Sequence, residues 1–181
     1  IAVGLVGEGS DCFGFDDETS ADHDYAPGFC MWLTETDYQK IGKELQQSYD
    51  ELVSSEGRLT LRRGVFGINH FYNHILETNI DYENMSEIKW TNTKEYLLAT
   101  ATNGEIFHDD LGVFSKIRKN FLTYYPESIW KKKLAQGLHD FSQYAQSNYS
   151  RMMARNDSVT ALICVGKGVE SALDLIYLLE K

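Results

Sequence analysis

Cysteine, proline and long apolar runs are scarce in this chain of 181 residues, and each scarcity excludes a class of protein. The three cysteines, Cys12, Cys30 and Cys164, form no CxxC pair and are odd in number. We therefore expect no disulfide framework, and the reducing cytoplasm is the expected compartment. The longest apolar runs, such as residues 161–165, are far too short to cross a bilayer, so no membrane partner is expected.

Positive charge is also scarce, because 17 lysines and arginines stand against 27 aspartates and glutamates. The formal net charge of −10 argues against an extended nucleic-acid surface, which needs a basic stripe. A phosphorylated substrate would need a cation as intermediary. With only two prolines and 13% aromatic residues, the composition is that of a folded chain rather than a disordered one.

The first half of the chain alternates short apolar runs with turn residues, a pattern that predicts strands and short helices. Strands are expected at residues 1–6, 25–33 and 58–66, the last as one long strand or a strand pair, and helices at about 36–54 and 70–76. Thr36 is the expected N-cap of the first helix, since apolar residues recur behind it at helical spacing.

Helical spacing dominates the second half of the chain. Asn92 and Glu95 have the spacing of a capping box, which predicts a helix that begins after Asn92 and ends before Gly104. A short strand is expected at residues 105–108, followed by helices at 113–126, 126–153 and 156–179. The prediction is therefore an α+β domain over residues 1–110 and a helical domain over residues 111–181.

One stretch has residues suited to phosphate chemistry. Gly9 and Ser10 follow the first predicted strand, and they lie in a turn where the backbone can approach a phosphate and Ser10 can donate to it. Asp22 and Asp24 are two residues apart, so an extended backbone would place both carboxylates on one face. Such a pair suits Mg²⁺, which takes one or two carboxylates together with substrate phosphates. His23 between them is expected to point the other way and to be structural.

The string GEGSDCFGFDDETSADHDYAPGFCMWL carries a family resemblance. Gly9-Ser10 and Asp22-His23-Asp24 resemble the signature of the DNA polymerase β-like nucleotidyltransferase superfamily. The wider string is similar to an uncharacterised bacterial family of nucleotidyltransferase-like proteins, whose members show Gly-Ser-Glu-Cys-x-Gly-Phe-Asp-Asp and then Ser-Arg-Asp-His-Asp. Weaker similarity continues through Tyr125-Pro126 to Tyr149-Ser150-Arg151, but only the first block carries mechanism.

The resemblance implies a fold and an activity. The fold is a small mixed β-sheet nucleotidyltransferase core flanked by helices, followed by a helical C-terminal domain. The activity is the Mg²⁺-dependent transfer of a nucleotidyl group, from an NTP such as ATP, to a hydroxyl of a small molecule or protein. Asp22 and Asp24 would be the catalytic and metal-binding residues, and Gly9 and Ser10 would hold the β- and γ-phosphates.

Two departures from the family pattern leave an alternative open. Ala21 stands where the family usually has arginine. The superfamily normally uses a third carboxylate on a later strand, and the segment 63–69 offers none, with Asn69 as its nearest polar candidate. Glu105, Asp109 and Asp110 are other possible third ligands. The alternative function is a catalytically weak or inactive nucleotide-binding or regulatory module of the same fold.

Overall fold

The chain forms two compact units. A computed structural model describes residues 1–15, 17, 28–54, 61–79 and 85–180. The first unit comprises Ile1–Met85 and Tyr96–Thr123, and the second comprises Ser86–Glu95 and Tyr124–Lys181. The domain boundary predicted at residue 110 falls inside the first unit, which continues through one more helix to Thr123.

A four-stranded mixed sheet lies at the centre of the first unit. The strands are Ala2–Leu5 (β1), Cys30–Leu33 (β2), Gly64–Gly67 (β3) and Glu105–Asp109 (β4), in the order β3-β2-β1-β4. β2 and β3 are parallel, whereas β1 is antiparallel to both β2 and β4. The α+β class predicted from the sequence is therefore confirmed. β1, β2 and β3 are shorter than the segments predicted for them, and β4 extends one residue further than predicted.

The two faces of the sheet bury different side chains, because neighbouring residues of β2 point to opposite sides. Leu33 packs with Tyr49 and Val53 of helix α1, Glu35–Ser54, in one buried cluster. Trp32 stacks on Phe114 at 3.9 Å between ring centroids on the other side. Helices α2 (Ile68–Ile75) and α5 (Val113–Leu122) supply the aromatic residues of that second cluster, which are Phe71, Tyr72, Phe114 and Phe121.

Two predicted helix caps are wrong. Thr34 begins α1, since its hydroxyl accepts the backbone N–H of Asp37 at 3.2 Å, and Thr36 lies inside the helix. Asn92 is the last residue of a separate helix α3, Glu87–Asn92, which the sequence analysis did not predict. The following helix α4 spans Glu95–Thr102. A short helix such as α3 has too few residues to show a clear apolar period.

The second unit is helical in its described residues. Its remaining helices are α6 (Glu127–Phe141), a π-helical segment (Ser142–Asn148), α7 (Tyr149–Ala154) and α8 (Ser158–Glu180). The single helix predicted over residues 126–153 is thus interrupted by the π-helical segment. None of the helices in the described part of the chain combines the length and apolar character needed to span a bilayer.

Side chains from the start of α6 satisfy the free carbonyls at the end of α8. The indole of Trp130 donates to the carbonyl of Leu178 at 2.6 Å, and the hydroxyl of Tyr124 donates to that of Tyr177 at 3.3 Å. These carbonyls lie in the last turn, where a helix offers no N–H of its own. The end of α8 is therefore fixed by residues some 50 positions away.

Candidate functional site

The candidate site lies at one end of the sheet, which we call the loop end. β1 finishes there, and β2, β3 and β4 begin there, because Gly4 is paired with Cys30, Cys30 with Gly64, and Leu5 with Glu105. The segment that follows β1, residues 7–10, therefore meets the segments that precede the other three strands.

Gly9 and Ser10 form a tight turn at the loop end. The carbonyl of Gly9 accepts the N–H of Cys12 at 3.2 Å, and the carbonyl of Ser10 accepts that of Phe13 at 3.0 Å, which starts a short 3-10 helix over Asp11–Phe13. Gly9 has a φ of +119°, and a Cβ built on it would collide with the Asp11 carboxylate. Glycine is thus required at this position by backbone conformation and by space.

The turn has unused hydrogen-bond donors. Among the described residues, no acceptor faces the backbone N–H of Gly9 or Ser10, and none faces the Ser10 hydroxyl. Both residues are partly exposed to solvent. Adjacent backbone N–H groups in a turn can receive an anion, so the turn can chemically accommodate phosphate oxygens.

Arg63 organises this turn, and sequence reasoning missed it. It immediately precedes β3, its side chain is only 3% exposed, and its Nη2 donates to both carboxylate oxygens of Asp11, at 2.7 and 2.6 Å. Nη1 donates to the carbonyl of Glu8 at 3.1 Å. Burial lowers the pKa of Arg63, but the pKa is raised above its ordinary value, and the hydrogen bonds to Asp11 and the charge of that carboxylate favour the charged guanidinium. The guanidinium therefore stays charged and holds both sides of the turn.

Asn103 holds the residue at which the turn begins. Its side-chain oxygen accepts the N–H of Gly7 at 2.8 Å, and its side-chain nitrogen donates to the Gly7 carbonyl at 2.7 Å. These two hydrogen bonds have the same donor and acceptor pattern as those that a neighbouring strand would form with Gly7. Gly104 beside it has a φ of +64°, and a Cβ there would collide with the carbonyl oxygen of Leu5. The segment just before β4 therefore closely fits the end of β1.

Two buried thiols lie beside Arg63. Cys12 accepts a contact from Arg63 Nη2 at 3.2 Å, and Cys30 contacts the carbonyl oxygens of Val6 and Arg62 through its Sγ. Burial raises the pKa of Cys12 to about 12 and that of Cys30 to about 11, despite the opposing charge of Arg63. Both thiols are therefore protonated at neutral pH and unsuited to act as nucleophiles. All three cysteines of the chain are free.

The predicted acid pair lies outside the described residues. Asp22 and Asp24, with His23 between them, fall in the undescribed segment 18–27, so their predicted roles remain predictions. The described chain resumes at Gly28, two residues before β2 begins at the loop end. Of the four predicted site residues, the structure thus places Gly9 and Ser10, side by side in the turn described above.

The four residues considered as a third metal ligand do not lie at the same end of the sheet. Glu105 starts β4 at the loop end and is exposed. Asp109 lies at the opposite end, where its carboxylate accepts the N–H of Ser115 at 2.8 Å at the start of α5. Asp110 follows it and pairs with His108 at 2.8 Å. Asn69 is also at the opposite end, beyond the last residue of β3. Glu105 alone among these four is on the side of the turn.

The loop end has few side-chain oxygens that could bind Mg²⁺ among the described residues. The Asp11 carboxylate is committed to Arg63, and the described side-chain oxygen donors there also include Glu8, which lies 3.9 Å from Arg62, Glu105 and the Ser10 hydroxyl. No cluster of three or more candidate metal ligands occurs in the described part of the chain. The described donors have the right oxygen chemistry for Mg²⁺ but are too few, so a site here requires the carboxylates of Asp22 and Asp24.

Residues 90–181 match a family model described as a domain of unknown function (DUF4037). No curated protein and no solved structure matches the chain. The matched residues include the helices α4 to α8 and the strand β4, whereas the Gly9–Ser10 turn precedes them. Because the match covers just over half of the sequence, the chain belongs to the DUF4037 family.

Proposed function

We propose that this chain is a cytoplasmic, Mg²⁺-dependent nucleotidyltransferase that moves a nucleotidyl group from an NTP such as ATP to a hydroxyl of a small molecule or protein. The observation that carries the proposal is the Gly9–Ser10 turn, whose donors have no acceptor in the described part of the chain. The turn lies at the sheet end where the segment containing Asp22 and Asp24 leads into β2.

The turn supports phosphate binding by its rigidity as well as by its donors. Arg63 and Asn103 hold Glu8, Asp11 and Gly7 on either side of it, so the N–H groups of Gly9 and Ser10 need little reorganisation to meet phosphate oxygens. Arg63 itself is neutralised by Asp11 and therefore adds little net positive charge. The β- and γ-phosphates are the groups we assign to this turn.

The acid pair is close enough in sequence to act at the same place. Asp24 precedes Gly28 by four residues, a length of chain that spans at most about 14 Å. When bound, Mg²⁺ would supply the positive charge that phosphates require and that a chain of net charge −10 lacks. Asp22 and Asp24 are the residues that would hold the ion, and Glu105 is the one of the three predicted third acids that lies at this sheet end.

A second candidate function has its own supporting observation. β3 brings Arg63 to the loop end rather than an acid, and Asp109 is engaged at the start of α5. If Glu105 does not complete the site, a two-acid arrangement would bind Mg·NTP without efficient transfer. The alternative is then a nucleotide-binding or regulatory module of the same fold.

Calorimetric titration with Mg·ATP tests the binding step shared by both functions. We expect saturable heat with the unaltered chain and none with the double variant Asp22→Asn/Asp24→Asn. The matched control is Asp16→Asn/Glu18→Gln, which removes two charges at the same spacing in the same acidic segment and should bind normally. Ser10→Ala should weaken binding about tenfold, because it removes one hydrogen bond to a charged group.

Pyrophosphate release across a panel of hydroxyl acceptors separates the two functions. Release that disappears in Asp22→Asn/Asp24→Asn and falls in Glu105→Gln supports the transferase. Tight binding without release by any acceptor supports the binding module. Absence of heat with the unaltered chain, or equal loss in the control variant, would reject both.

A further inference from the structure

The loop that continues from the Gly9–Ser10 turn carries two exposed phenylalanines. Phe13 is 40% exposed and Phe15 is 70% exposed, the highest value for any phenylalanine among the described residues. Cys12, which precedes these rings, is buried, so the loop is anchored in the first unit while it presents its aromatic side chains to solvent. A single exposed apolar residue is ordinary, whereas neighbouring aromatic rings offer a large area for binding.

Backbone hydrogen bonds hold both phenylalanines to the turn. The carbonyl of Ser10 accepts the N–H of Phe13 at 3.0 Å and that of Phe15 at 2.9 Å. Gly14 lies between the two rings, and its N–H donates to the Asp11 carbonyl at 3.2 Å. Its φ of +71° is a conformation that glycine adopts without strain. The backbone positions of both rings are therefore set by Ser10, the residue to which we assign phosphate binding.

The two rings are nearly parallel and close to the turn. Their planes differ by 9°, and their centroids are 6.2 Å apart. The centre of a phenylalanine ring lies at most about 5 Å from its own backbone nitrogen, so both rings lie within about 8 Å of the Ser10 carbonyl oxygen. A ribose and an α-phosphate bridge a gap of that size between a base and a β-phosphate. The rings are therefore within reach of the base of a nucleotide whose phosphates lie on the turn.

Stacking on these rings suits this chain because it requires no positive charge. A nucleobase is flat and aromatic, and it binds ring faces through dispersion and the burial of apolar area. The chain has a net charge of −10, and Arg63 beside the turn is neutralised by Asp11. Inorganic phosphate or a sugar phosphate would leave the rings unused. The turn and the ring pair match the two ends of one ligand, a nucleoside triphosphate.

We propose that Phe13 and Phe15 bind the base of the nucleoside triphosphate whose β- and γ-phosphates lie on the Gly9–Ser10 turn. This inference rests on the nucleotide binding proposed above and adds the residues that hold the base. Ring faces do not read the hydrogen-bond pattern at the edge of a base, because every base has a π-face. The pair therefore selects a triphosphate that carries a base over one that does not, whichever base it is.

Calorimetric titration of the full chain with Mg·ATP and with Mg·tripolyphosphate, which has the phosphates but no base, tests the inference. We expect Mg·ATP to bind about tenfold more tightly or better, since stacking of one base on an aromatic side chain contributes a factor of that order. Phe13→Ala/Phe15→Ala should weaken the binding of Mg·ATP about tenfold or more and leave that of Mg·tripolyphosphate unchanged. Phe15→Tyr, which keeps an aromatic face, should retain the affinity for Mg·ATP.

Two further variants separate base binding from a structural role of the rings. Phe15→Leu keeps an apolar side chain without an aromatic face and should weaken Mg·ATP alone. Phe107→Ala is the matched control, because Phe107 is 58% exposed on β4 and lies outside the loop, and it should leave both affinities unchanged.

The failure of this inference and the failure of the proposed function give different results. Equal affinities of the unaltered chain for the two ligands, equal weakening of both by the phenylalanine variants, or a loss as large in Phe107→Ala would overturn the base contact and leave the phosphate turn standing. A chain that binds neither ligand would reject nucleotide binding itself, and the base contact with it.

Discussion

The two units of this chain use polar side chains for different purposes. In the first unit, Arg63 and Asn103 reach across long stretches of sequence and hold an irregular turn by buried hydrogen bonds and an ion pair. In the second unit, helices pack mainly through apolar residues, and α8 leaves apolar residues exposed. The hydrogen bond of Trp130 lies at the end of α8, and one largely buried ion pair joins Lys133 of α6 to Glu95 at 3.4 Å. A turn without regular pairing needs such side chains, because buried backbone groups must find partners. A helix satisfies its own backbone and needs only packing.

The largest effect expected from this difference is that of Arg63→Leu. The substitution leaves the Asp11 carboxylate and the Glu8 carbonyl without their donor, so the free energy of unfolding should fall by about 3 kcal/mol. Urea denaturation followed by circular dichroism measures the change. The control is Arg62→Leu, whose side chain is 38% exposed and lies 3.9 Å from Glu8; it should cost well under about 1 kcal/mol. If Arg62→Leu lowered the free energy of unfolding as much as Arg63→Leu, the buried ion pair would have no special role in the first unit.

Asn103→Ala should have the next largest effect. It removes both hydrogen bonds to buried Gly7, and we expect a loss of about 2 kcal/mol in the free energy of unfolding. Asn120→Ala, on the exposed side of α5, should change stability by less than about 0.5 kcal/mol. Hydrogen exchange at the amide of Gly7, whose N–H donates to Asn103, should accelerate only in the first variant. Unchanged exchange there would show that Asn103 does not hold the turn.

Trp130→Phe tests a polar contact of the second unit. It replaces the indole by a smaller aromatic ring without an N–H and so removes the hydrogen bond to the Leu178 carbonyl, which lies at a helix end that water can reach in part. The expected loss is about 1 kcal/mol, smaller than for the first unit. Thermal unfolding measures it, with Tyr124→Phe as the comparison, because its hydrogen bond is longer and exposed. If Trp130→Phe lowered stability as much as Arg63→Leu, the two units would not differ in their dependence on polar side chains.

The smallest effect concerns Asp174 of α8. Burial, together with the charges of Glu95 and Glu170, raises the pKa of this carboxyl above its ordinary value. The charged form is therefore disfavoured in the folded state, and stability decreases as pH rises through the folded pKa. Asp174→Asn should stabilise the chain slightly at pH 7 and lose that advantage below about pH 4, where the unfolded carboxyl is protonated too. Urea midpoints at both pH values test the sign.

The elements that the sequence predicted correctly are those that depend on contacts between near neighbours in the chain. Helices α1, α5 and α8 and strands β1 and β4 lie close to the predicted residues, because local periodicity and turn residues specify them. The caps at Thr36 and Asn92 were wrong because several polar residues at a helix start can cap it, and only the backbone decides which one does. The π-helical interruption of the predicted helix 126–153 leaves no simple pattern in sequence either.

The candidate site also contains residues that the sequence identified and residues that only the structure revealed. Gly9 and Ser10 were identified by their spacing, since glycine and serine in a turn after a strand have a local chemical meaning. Arg63 had no such signal. It is one arginine next to another, 52 residues from Asp11, and its burial follows from the start of β3 lying at the same end of the sheet as the end of β1, with β2 between the two strands. Likewise, the resemblance implied a third acid and the sequence offered three, Glu105, Asp109 and Asp110, of which sheet topology leaves only Glu105 on the side of the turn.

The sequence by itself therefore determined the α+β class, most helices, the glycine turn and the acidic character of the chain, because these follow from composition and from contacts between near neighbours. The tertiary structure decided the strand order, the extent of the two units, the buried Arg63–Asp11 pair and which apolar residues of α8 are exposed. These depend on which distant segments meet. An arginine or a leucine has the same local propensity whether it is buried or exposed, so only packing assigns its role.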